Sequence, residues 1–278
     1  MSQYLIVSDN FMKITAILIS LCTFFSCNNR QSDNQAIGKV DLQSKQDIIN
    51  QKVKQTIFGE DSEFQYTDFH DLKSSKYYDR VFAGNLKLTT GRVVCTDPIY
   101  RELGLPQSWT VSPGNYPVYL YVGLEDDIAG EIAYAEVIFK DEVPLYWEFS
   151  LIPETMLTNS FEKKMNGMFP VENGLGSFSD YETWKKYDQE INDFYNSNKN
   201  GNYYTDILEK QFKGTIGESS REKDWVDYKP KHANGNIIMF SSGGIDGLYP
   251  RYVGYDKNGY VIKLIADFIQ VTYSYDLK

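Results

Sequence analysis

The residues best suited to hold a ligand lie in Ser241-Ser242-Gly243-Gly244-Ile245-Asp246-Gly247. Glycines there let the backbone turn sharply and expose its amides. Asp246 would then hold a cation or a ligand hydroxyl, or it would cap nearby amides in a purely structural turn. Three further aspartates sit where strands are expected to stop or turn. Asp97 precedes Pro98, Asp256 opens a predicted hairpin, and Asp267 ends an apolar run. If those ends converge with Ser242, Gly243, Asp246 and Gly247, the oxygen ligands suit a hard cation, and calcium is the cation to consider. The calcium-loop spacing of an EF-hand is absent. No other metal or cofactor is indicated.

Paired carboxylates offer a different chemistry. Two of Asp97, Glu172, Asp180 and Asp246 would serve a hydrolase as acid and base, one with a raised pKa. Trp109 and Trp147 would stack on sugar rings in that case. Other chemistries lack their parts. There is no phosphate-binding loop, no dinucleotide fingerprint and no Cys or His pair at metal spacing. Gly174-Leu175-Gly176 lacks a third glycine and follows no clear strand. Cys95, in Val93-Val94-Cys95, reads as a buried, inert thiol, since burial raises thiol pKa. His70 and His232 occupy polar surroundings expected to be loops.

The elements that would position these residues follow from periodicity. Leu42, Ile48, Ile49, Val53 and Ile57 predict a helix near 42–58. Residues 59–83 are mixed and carry no clear pattern. From about 84 to 152 the chain reads as strands: Leu86 and Leu88, a turn at Gly91, and Arg92 to Cys95. Pro117 to Val122 is bulky on both faces, as a central strand should be. Ala133 to Phe139 makes the next strand. In another, Leu145, Trp147, Phe149 and Leu151 face one way and Tyr146, Glu148 and Ser150 the other. Lys140-Asp141-Glu142 predicts a short antiparallel hairpin between those two.

Asp180 is the N-cap of a predicted helix carrying Trp184, Tyr187, Ile191, Phe194 and Tyr195. A shorter helix is expected over Tyr204, Ile207, Leu208, Gln211 and Phe212. Ile237 to Phe240 predicts a buried strand. Tyr249 to Tyr255 and Tyr260 to Ala266 flank Asn258-Gly259, a strong hairpin signal. Val271, Tyr273 and Tyr275 predict a last strand. The fold class is therefore α+β, mainly antiparallel, with a central insertion of about two helices.

The N-terminus predicts export. Lys13 precedes an apolar run from Ile14 to Phe25, then Ser26-Cys27, so residues 1–26 read as a signal peptide. Met12 would be a natural start. Phe24-Phe25-Ser26-Cys27 resembles a bacterial lipobox, which makes Cys27 the expected lipidation site, carrying palmitate among its acyl chains. Residues 27–58 form a polar tether and the possible helix, and 59–278 a single domain. A lipid-anchored protein of the bacterial cell envelope is expected, on the outer membrane.

Several quoted stretches together carry a resemblance. Asp97-Pro98, Pro113 to Val118, Gly174 to Asp180, Ser241-Ser242-Gly243 with Asp246-Gly247 and Tyr249-Pro250, Gly254 to Gly259, and Asp267-Phe268 occur in order. Over residues 84–270 the chain resembles the bacterial family called domain of unknown function 4241. Where the family's glycine loop reads Ser-Gly-Trp-Gly-Asp-Gly, this chain has Gly244 and Ile245 in place of Trp-Gly. Asn173 stands where the family has Asp. The resemblance implies a fold unit and no reaction.

Composition narrows the function. The chain has 278 residues, 28 Lys and Arg against 38 Asp and Glu, and a net charge of −10. Such acidity excludes a nucleic-acid binder working by phosphate neutralisation. Removing residues 1–26 loses Asp9 and Lys13, so the charge belongs to the exported part. The 22 tyrosines provide large contact area at low conformational cost. Sequence alone therefore favours an envelope binding module for a basic protein partner, of the kind an immunity protein needs. The alternative is the carboxylate-dependent hydrolase of an envelope or dietary polymer.

Overall fold

The structure is a computed structural model and describes residues 69–124, 129–212, 224–242 and 246–268. The predicted helix near 42–58, the predicted last strand, Cys27 and Gly243 lie outside the described residues.

Among the described residues eleven strands form two sheets, all paired antiparallel. The larger contains β1 (Tyr78–Leu88), β3 (Gly114–Gly123), β4 (Ile132–Ile138), β11 (Val261–Asp267), β10 (Gly247–Tyr255) and β5 (Tyr146–Phe149), in that order. β6 (Met168–Val171) pairs with the start of β10. The smaller runs β2 (Val93–Thr96), β7 (Leu175–Asp180), β9 (Ile237–Ser241), β8 (Trp225–Tyr228).

The sheets pack face to face. Leu86, Val118, Leu120, Val137 and Leu264 of the larger meet Val93, Cys95, Phe178, Ile238 and Phe240 of the smaller in one core. Alternation produces this layer, because every second residue of each strand points inward. A helix, α2 (Tyr181–Ser197), covers the other face of the smaller sheet. Its Trp184, Tyr187 and Ile191, spaced at helical intervals, pack on Val94, Leu175, Val226, Ile237 and Met239. The earlier α1 (Ser160–Lys164) is short, and its Asn159 cap accepts the Glu162 N–H. After α2 come a π turn over Tyr204–Leu208 and a 3-10 turn over Glu209–Gln211, in place of the expected regular second helix.

The predicted β4–β5 hairpin does not form. β11 and β10 lie between those strands. The C-terminal hairpin inserts there and offers each strand a long partner, so the short Lys140-Asp141-Glu142 link serves as a crossing. The β10–β11 hairpin itself is present, with a detail of its own. Only Gly259 takes a positive φ, +80°, and its N–H bonds to Asp256 O. Asn258 stays out of the left-handed region, and the ladder shifts between Gly254 and Tyr255. Gly174-Leu175-Gly176 does follow a strand, since β6 ends at Val171 and β7 starts at Leu175.

Candidate functional site

The carboxylates singled out by sequence are committed to backbone. Asp97 is fully buried. Its Oδ1 accepts the N–H groups of Ile99 and Tyr100 at 2.7 and 3.0 Å, and its Oδ2 those of Glu172 and Asn173 at 3.0 and 3.2 Å. Burial pushes its pKa up, and the four N–H groups pull it back. Four charge-assisted bonds make this side chain a clip between the end of β2 and the β6–β7 turn. Asp180 caps α2 by accepting the Glu182 N–H at 3.1 Å. It also takes the N–H and hydroxyl of both Thr89 and Thr90, so one carboxylate ties the β1–β2 turn to the helix start.

Asp256 accepts the N–H groups of Asn258 and Tyr260 within the hairpin turn, at 2.8 and 2.9 Å. Those bonds, with Lys140 at 3.6 Å, hold its pKa below the usual range. Asp267 is buried at the end of β11, opposite Tyr134. Ser242 is buried, and its N–H bonds to Gly174 O. Gly247 opens β10 opposite Val171, and Asp246 just before it is exposed.

These residues come together only in part. Asp97 and Ser242 both bond to the Glu172–Gly174 turn. Asp180 is at the far end of β7, about 17 Å of strand away, and Asp256 is at the far end of β10. Among the described residues no group of three or more His, Cys, Asp or Glu is arranged to hold a metal ion. Cys95 is a free, buried thiol, and burial raises its pKa to about 12. His232 sits exposed in a turn with φ +61°. Trp147 is 2% exposed beneath Phe69, so it offers no stacking platform.

A different set of groups lies together at the end of the larger sheet, with Glu148 exposed, Tyr146 and Tyr255 half-buried and Ser150 buried. Among the described residues β5 lies at the end of the larger sheet and pairs only with β10. Tyr146, Glu148 and Ser150 alternate along one face of it, about 7 Å apart. Tyr146 lies opposite Tyr255 of β10, and their rings stack at 4.9 Å and 17°. Next to that pair Glu148 is exposed. Partial burial of its carboxyl raises its pKa, with no cation opposing the shift. Among the described residues it makes no hydrogen bond or ion pair. Burial raises the pKa of both tyrosine hydroxyls, and the charge of Glu148 raises them further.

The far end of this face is braced from below. Ser150 Oγ accepts Trp109 Nε1–H at 2.9 Å and donates to Gln107 Oε1 at 2.7 Å. Trp109 packs in turn on Phe139, with ring centroids 5.7 Å apart. The nearest lysine by sequence, Lys140, is occupied by Glu142 and Asp256 at 3.0 and 3.6 Å. Val143 and Tyr260, 69% and 70% exposed, stand at the same end of the sheet. Of these, sequence reasoning nominated Trp109 alone, for stacking on a sugar ring, whereas its ring packs on Phe139 and its Nε1–H is bonded to Ser150. The signal was the polar side of the β5 alternation, Tyr-x-Glu-x-Ser, set beside a second tyrosine that only strand pairing brings near.

Two antiparallel sheets in face-to-face packing, one covered by a helix, define the class: an all-antiparallel sandwich with an aromatic and acidic edge. The chain belongs to the family described as "Protein of unknown function (DUF4241)", which matches residues 86–266. That match spans β-structure from within β1 to β11 and both helices. No curated protein and no solved structure matches the chain.

Proposed function

We propose that this protein is a binding module for a basic protein partner, held at the bacterial cell envelope by a lipid on Cys27. The observation that carries the reading is the use of its carboxylates. Asp97 and Asp180, the buried acids best placed for catalysis, accept four and five hydrogen bonds from the protein's own turns. A carboxylate saturated in this way positions backbone and has no lone pair free for proton transfer. Glu148, by contrast, is a carboxylate with no hydrogen-bond or ion-pair partner among the described residues, set beside two half-buried tyrosines. Aromatic surface with one unneutralised charge suits recognition of an opposite charge. A net charge of −10 favours the same partner by long-range attraction. An immunity-type role, neutralising a basic toxin, fits these properties.

The test is to mix the full-length protein with the basic product of a neighbouring gene and measure association by calorimetry at low and physiological salt. A saturable complex that weakens with salt supports the reading. Release of reducing sugar or peptide from envelope polymer, with no such complex, would replace it with the hydrolase.

A further inference from the structure

Glu148 combines three conditions that seldom occur together on a surface. Its carboxylate has no ion-pair or hydrogen-bond partner among the described residues. It stands beside a stacked pair of tyrosines, 4.9 Å between ring centroids. It lies on the end strand of the sheet, where one edge of β5 faces no other named strand.

An alkylammonium or guanidinium group is attracted both by a carboxylate and by the negative face of an aromatic ring. Partial desolvation strengthens both attractions, because the effective dielectric constant falls. The molecule already uses this combination within itself, where the Arg80 guanidinium lies 3.4 Å from the Tyr119 ring centroid and close to Glu136. There the cation is supplied by the chain. At Glu148 the acid and the rings are present, and Lys140, the cation nearest in sequence, is held elsewhere.

We infer that Glu148, Tyr146 and Tyr255 form the receptor for a lysine or arginine side chain of the basic protein partner, entered from the open edge of β5. This deepens the binding reading and rests on it. Tyr146, half-buried, presents ring surface to the methylene stem, and Glu148 takes the charged head. Ser150, Trp109 and Gln107 brace the strand from behind, so the face needs little reorganisation on binding. Exposed Val143 and Tyr260 extend the contact surface at the same end.

The experiment uses the full-length protein and tetralysine amide as probe, titrated calorimetrically at low salt. Glu148→Gln and Tyr146→Leu are compared with Glu142→Gln, which removes an acid from the same end of the sheet. Circular dichroism melts check that each variant folds. The expected result is at least a tenfold loss of affinity for Glu148→Gln and Tyr146→Leu, with Glu142→Gln within twofold of the unaltered protein. Tetra(acetyl-lysine) amide should not bind, and spermidine should bind at least tenfold more weakly than the peptide. Equal affinities across the three variants would overturn the site while leaving the binding module standing. Spermidine binding as tightly as the peptide would overturn a protein side chain as the ligand. No binding of tetralysine by the unaltered protein would overturn both the site and the basic-partner reading.

Discussion

Asp97 and Glu148 divide the acidic residues into two kinds. Asp97 is buried and satisfied, and its value is structural. Asp97→Ala would strand four N–H groups in the interior, and we expect a loss of about 2–4 kcal/mol, read by urea unfolding, with unchanged affinity for tetralysine. Glu148 is the reverse case. Its folded pKa lies above the ordinary 4.5. A carboxyl with a raised folded pKa adds stability that is complete below its unfolded pKa and disappears as pH rises through the folded one. At neutral pH the ionised group therefore weighs against folding. Glu148→Gln should leave the melting temperature equal or higher while removing cation binding, the signature of a residue kept for function. Neither role was readable from the sequence. Asp97 looks like an acid until the chain returns, 75 residues later, to present Glu172 and Asn173 N–H groups. Glu148 looks like an ordinary outward residue until Tyr255 is placed beside its strand.

At the level of elements, much was legible where the signal is local. β9, the β10–β11 hairpin and α2 with its Asp180 cap follow from an apolar run, a glycine turn and helical spacing. β6, β7 and β8 went unread; β6 contains Pro170, and β7 carries Gly176 with Ser177, Ser179 and Asp180, so neither shows a strand's apolar alternation. The β4–β5 pairing was misread because pairing is settled by a hairpin more than 100 residues further on. Two substitutions test this layer. Gly91 joins β1 to β2 with φ +76°, and a Cβ there would fall 1.8 Å from Val111 O. Backbone cannot yield as a side chain does, so Gly91→Ala should cost more than about 2 kcal/mol by the same urea measurement. Arg251 spans the sandwich fully buried and donates Nη1–H to Cys95 O at 2.9 Å. Its Nε and Nη2 have no hydrogen-bond partner among the described residues, and burial lowers its pKa to about 10. A buried charge with so little compensation costs more than a methionine of similar shape. Arg251→Met should leave the melting temperature unchanged or raise it, whereas Arg251→Ala opens a cavity and should lower it.

For the whole molecule, the acidity and the sandwich belong together. The core is built from inward-facing aliphatic and aromatic residues; buried charges such as Asp97 and Arg251 are bonded to the backbone, and exposed acids such as Asp246 and Glu148 are left to attract basic partners. The N-terminal reading is tested separately. If Cys27 carries the lipid anchor, the protein expressed in its own cells should partition into detergent, and Cys27→Ala should move it to the aqueous phase and lower its mass by the acyl chains. Unchanged partitioning and mass would remove the anchor and leave the β5 face untouched.

The central claim is that Glu148 is an unpartnered carboxylate waiting for a cation, and its titration reports this directly. The side-chain carboxyl carbon of Glu148, identified by comparison with Glu148→Gln, can be followed by NMR from pH 3 to 8 with and without tetralysine amide. The account predicts a midpoint above 4.5 in the free protein and a lower midpoint when the peptide is bound, because a bound cation favours the ionised form. A midpoint at or below 4.5 in the free protein, or one that tetralysine does not move, would contradict it.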